Sequence, residues 1–71
     1  MNELKIAKNL INHYNETKKQ YNDLISIAIK ITDNDFENCD FENLIKILKN
    51  KGFNSKIEIL DNKEYFTYQP L

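Results

Sequence analysis

Seventy-one residues, 41% apolar and 30% charged with a net charge of −1, amount to one small domain with no room for a second. A chain this short buries only about 60% of the surface its unfolded form exposes, which argues against a deep enzymatic pocket. Ten lysines face eleven carboxylates with no arginine at all, so the guanidinium fork favoured for phosphate and base recognition is missing and a dedicated nucleic-acid binder is disfavoured.

From the N-terminus, Leu4, Ala7, Ile11, Tyr14, Lys18, Tyr21, Ile25, Ala28 and Thr32 recur at spacings of three and four, with Leu10, Leu24 and Ile31 broadening the stripe. The pattern predicts an amphipathic helix over residues 3–31, with Asn2 as N-cap and Glu3 in its first turn. Thr17 and Gln20 have capping-box spacing, which leaves open a break near Asn15–Thr17. An unbroken helix of about 28 residues is ~42 Å long, against a radius of gyration of ~11 Å for a globule of this chain length. Such a helix must project or pair with another chain.

Residues 32–40 form an acidic connector: Asp33, Asp35, Glu37 and Asp40, followed by Glu42, supply five negative charges without one lysine. Asp40 is the expected N-cap of a second helix, 41–51, which buries Phe41, Leu44, Ile45 and Leu48 and ends at Gly52. Beyond it the period changes to two, and residues 55–69 read as a β-hairpin. A turn at Asn62–Lys63 sets Ile59 opposite Phe66, Ile57 opposite Tyr68 and Leu60 opposite Tyr65. Moving the turn to Asp61–Asn62 shifts the pairing by two and preserves both faces. Pro70 ends the second strand. The expected fold is therefore α+β in the order α-α-β-β, a single domain over residues 1–71 with a two-stranded sheet.

Cys39 is the only cysteine, so no intramolecular disulfide or thiol-based zinc cage can form within one subunit, and a reducing, cytoplasmic setting is expected. Residues 1–10 hold no apolar run of signal-peptide length, and Ser26 and Lys30 interrupt the apolar cluster from Ile25 to Ile31. A soluble protein with no membrane partner is expected. The abundance of Asn, Ile and Lys beside no Val and no Trp fits the codon bias of an A+T-rich genome.

Chemistry has few places to reside. His13 and Cys39 are the only catalytic pair the composition offers, and one glycine in the chain leaves no obvious oxyanion or phosphate loop. No enzyme activity, cofactor or metal is expected; the acidic connector lacks the glycine and terminal Glu of an EF-hand, since its twelfth position from Asp33 is Leu44. The primary reading is a small protein-binding inhibitor or regulator, of the kind phages and mobile elements encode, acting on a host nuclease or immune complex. Its expected contacts are Tyr14, Lys18 and Tyr21 on the long helix, Asp33, Asp35 and Glu37 in the connector, and Tyr65 and Tyr68 on the free strand of the hairpin. Two alternatives stand beside it. One is a winged-helix-like DNA-binding regulator that reads bases with Asn43, Lys46 and Asn50. The other is a homodimeric accessory subunit joined through helix 3–31 or the hairpin edge.

Overall fold

The computed structural model describes residues 2–32 and 34–71. Their chain order is α1 (Glu3–Gln20), β1 (Ile27–Lys30), a short 3-10 turn (Asn34–Phe36), α2 (Phe41–Asn50), β2 (Phe53–Leu60) and β3 (Lys63–Pro70). The three strands form one antiparallel sheet in the order β1-β3-β2. The fold is α+β, but the sheet is not two-stranded and the order is not α-α-β-β.

The long first helix is where expectation and structure part. α1 begins as read, with the Asn2 side chain accepting the Lys5 N–H at 3.0 Å, and buries Glu3, Ala7, Leu10 and Tyr14 at helical spacing. It stops at Gln20, so the break falls beyond Asn15–Thr17. Tyr21 leaves helical geometry at φ −128 and ψ 89, Asn22 and Asp23 make a turn, and the Leu24 N–H closes it on the Tyr21 carbonyl at 3.0 Å. Two side chains of α1 hold the returning chain. The Tyr14 hydroxyl donates to the carbonyls of Leu24 and Ile25, each at 3.2 Å, and Lys18 Nζ donates to the Leu24 carbonyl at 2.9 Å. The following Ile27, Ala28, Ile29 and Lys30 alternate half-buried with exposed, the pattern of a strand rich in β-branched residues. A hairpin alone is marginal and gains from a third strand; this requirement overrides the helical period of the segment. At 18 residues α1 is about 27 Å long and fits within a molecule whose longest dimension is 32 Å. Nothing has to project.

α2 follows its sequence signals closely. The Asp40 side chain accepts the Asn43 N–H at 3.3 Å, Leu44 and Leu48 are fully buried, and Gly52 takes φ +93 to end the helix. The hairpin turn is Asp61–Asn62, with φ +52 and +64, the two positive values a type I′ connection requires. The register accordingly sets Ile57 opposite Phe66, Ser55 opposite Tyr68 and Leu60 opposite Lys63, two residues from the first expectation with both faces preserved. β3 also pairs with β1, placing Ile27 opposite Tyr68 and Ile29 opposite Phe66.

Both helices pack on the sheet face that carries Phe53, Phe66 and Tyr68, and the core comprises these three with Ala7, Leu10, Tyr14, Phe36, Leu44 and Leu48. Phe36, from the middle of the acidic connector, is buried against Phe66 with ring centroids 5.5 Å apart. The Tyr68 hydroxyl donates to the Leu10 carbonyl at 2.7 Å and so ties the central strand to α1. Among the described residues no helix is long and apolar enough to cross a membrane.

Candidate functional site

A sheet of three strands has two outer edges, and here they belong to β1 and β2. Just past β1 the Ile31 N–H bonds inward to the Glu64 carbonyl at 3.1 Å. Antiparallel pairs alternate between bonded and unbonded residues, so Ile27 and Ile29 also direct their backbone groups to β3, while Ala28 and Lys30 direct theirs outward. That outward edge lines a groove of about 550 Å³ whose other wall is α1, through Ile6, Asn9, Leu10 and His13, with Asp35 of the connector completing it. Main-chain donors and acceptors that are unbonded among the described residues, an apolar wall and one charge of each sign, Lys30 and Asp35, thus share one concavity.

The residues expected to make contacts divide sharply. Tyr14 and Tyr68 are 5% and 1% exposed, so they belong to the core and not to a surface; burial also pushes the Tyr68 phenol far above its ordinary range. Lys18 and Tyr21 are exposed where α1 ends, and Lys18 is committed to the turn it caps. Asp35 and Glu37 are exposed on either side of buried Phe36, whereas Asp33 lies outside the described residues. Tyr65 is half-buried on the sheet face away from the helices, paired across to Lys30 and Glu58. The segment Tyr65–Tyr68 is not a free strand: it is the middle of the sheet. Ile6, Ala28 and Ile29 line the groove and are not among the residues expected to make contacts. The signal that marks Ala28 and Ile29 is the alternation from Ile25 to Ile31; none marks Ile6.

Glu3 is buried at the junction of the two helices, where its carboxylate accepts the Asp40 N–H at 3.1 Å and the Asn43 side-chain amide at 3.0 Å. The backbone bond from Asp40, then the Asn43 amide, hold its pKa below the ordinary carboxylate range. Asn43 is therefore engaged within the fold, leaving Lys46 and Asn50 exposed on α2. Beside this junction burial pushes the Cys39 thiol up, and the charges of Glu3 and Asp40 add to it, the opposite of what a nucleophilic cysteine needs. His13 stands ten residues further along α1 than Glu3, about 15 Å along the axis, and faces the groove instead. Among the described residues no group of three His, Cys, Asp or Glu side chains converges in a metal-holding arrangement. Comparison with protein-family models, with curated proteins and with solved structures gave no significant match.

Proposed function

We propose that the chain is a non-catalytic protein-binding module, an inhibitor or regulator that docks on a larger protein through the α1–β1 groove and the acidic connector beside it. The observation that supports this reading most is the open backbone edge of Ala28 and Lys30 inside a groove walled by Ile6 and Leu10. An extended segment of the partner adds to β1 as a fourth strand, gaining affinity from main-chain hydrogen bonds and specificity from side chains that reach the apolar wall. Asp35 and Glu37, both exposed, favour a segment or surface that carries lysine or arginine. The basic groove of an enzyme that handles nucleic acid is the partner class best matched to an acidic loop.

The test is affinity capture from the native host followed by binding measurements on the purified partner. Ala28→Pro removes an outward-facing N–H without touching the ladder to β3, and Asp35→Asn with Glu37→Gln removes the acidic contribution. Each variant is expected to melt like the parent and to bind at least about tenfold more weakly, roughly 1.4 kcal/mol. Unchanged affinity in both would overturn this reading.

A further inference from the structure

The second open edge carries a different message. β2 runs for eight residues, Phe53–Leu60, with an unbroken register to β3. It holds no proline and no bulge, two of the devices by which edge strands usually discourage pairing. The two-residue turn makes Leu60 and Lys63 a bonded pair, so Asn54, Lys56, Glu58 and Leu60 bond inward and Ser55, Ile57 and Ile59 point their backbone groups outward. Among the described residues, none of these three makes a backbone bond outside the hairpin ladder. Ile57 and Ile59 share the helix-side face of the sheet with Phe66, yet remain 42% and 69% exposed. The outward backbone groups of this edge are thus unpartnered among the described residues, and its two isoleucines are largely uncovered.

We infer that the occupant is a second copy of this chain, with β2 pairing antiparallel to β2 of the partner about a two-fold axis at Ile57. The charges select this register. Centred on Ile57, it sets Ile57 opposite its own copy, Ser55 opposite Ile59, and Lys56 opposite Glu58 twice, once on each side of the axis. Outward-pointing residues meet outward-pointing residues, as an antiparallel ladder requires. Moving the axis one position toward the N-terminus sets Lys56 against Lys56, and one position the other way sets Glu58 against Glu58, each a destabilising like-charge pair. Lys56 and Glu58 already lie 3.6 Å apart on one strand, so they are on the same face and available for this exchange. The product is a six-stranded sheet with one isoleucine strip on its helix side, an isologous contact that closes on itself. It uses the edge opposite the α1–β1 groove and does not depend on what that groove binds.

Charge exchange tests the register. Lys56→Glu gives two acidic pairs at the axis and Glu58→Lys two basic pairs, so each variant alone is expected to dimerise at least about tenfold more weakly than the parent. Mixed in equal amounts, the two variants are expected to pair with each other, and the double exchange Lys56→Glu/Glu58→Lys to restore self-association. Sedimentation equilibrium across a dilution series reads all five samples, the parent included, and circular dichroism melts check that each remains folded. A parent that stays monomeric throughout, or single variants that self-associate as tightly as the parent, would overturn the inference.

Discussion

At the scale of single residues, Glu3 joins the first part of the chain to the second. It is 6% exposed, and its two oxygens are spent on Asp40 and Asn43 at the start of α2. A carboxylate so bonded has a lower pKa folded than unfolded, and the sign of the stability effect follows. Its contribution is complete above the unfolded value near 4.5 and is lost as pH falls through the lower folded value. Glu3→Gln is expected to lower the melting temperature at pH 7, with the gap to the parent narrowing as pH drops below that range. Thermal melts over a pH series check this; a gap that stays constant with pH would show that charge is not what the junction uses. The exposed pair Lys19–Glu16, 3.4 Å apart on α1, has no comparable role, because such solvated pairs contribute little.

The element that decides the architecture is β1. Its sequence carries two periods at once: Ile25, Ala28 and Thr32 continue the helical stripe, while Ile27, Ile29 and Ile31 alternate with Ala28 and Lys30. Neither Gly nor Pro marks the turn before it, so only Asn22–Asp23 signals the break, and a short apolar run of this kind fits helix and strand alike. What settles it is distant in sequence: β3 presents Phe66 and Tyr68 to Ile29 and Ile27. By contrast α2 and the hairpin face were legible, because Asp40, Gly52 and the alternation at residues 57–59 and 65–68 are local signals. The groove was not legible, since it exists only once β1 folds back beside α1, and Tyr14 and Tyr68 read as contacts because an aromatic at helical or alternating spacing fits core and surface equally. Tyr14 also latches the turn. Tyr14→Phe leaves its ring in the core but takes the donor from the Leu24 and Ile25 carbonyls, and is expected to cost about 1 kcal/mol in urea unfolding. No change in the midpoint would mean that the turn holds without its latch.

For the molecule as a whole, near-neutral charge conceals segregation: residues 1–31 carry +2, 32–43 carry −5, 44–63 carry +3 and 64–71 carry −1. The fold places Asp35 of the acidic segment against the β1 edge and the Lys56–Glu58 pair along the β2 edge. One small sheet thereby offers two edges of different character, one recessed and flanked by acid, the other open and self-complementary. In the proposed reading, burial that a short chain cannot complete within itself is completed at those edges. Of the apolar stripe of α1, Ala7 and Tyr14 are packed inside, and only its flank at Ile6 and Leu10 borders the β1 groove.

Residue-resolved amide hydrogen exchange measures both edges at once. In dilute protein, Ile27 and Ile29 on β1, Ile31 just beyond it, and Lys56 and Glu58 on β2 should exchange slowly, while Ala28, Lys30, Ser55, Ile57 and Ile59 exchange fast. Concentrating the sample should slow Ser55, Ile57 and Ile59 alone, and adding the captured partner should slow Ala28 and Lys30. Protection that develops in α1 or on the helix-free face of the sheet, with both edges still exchanging fast, would contradict the account.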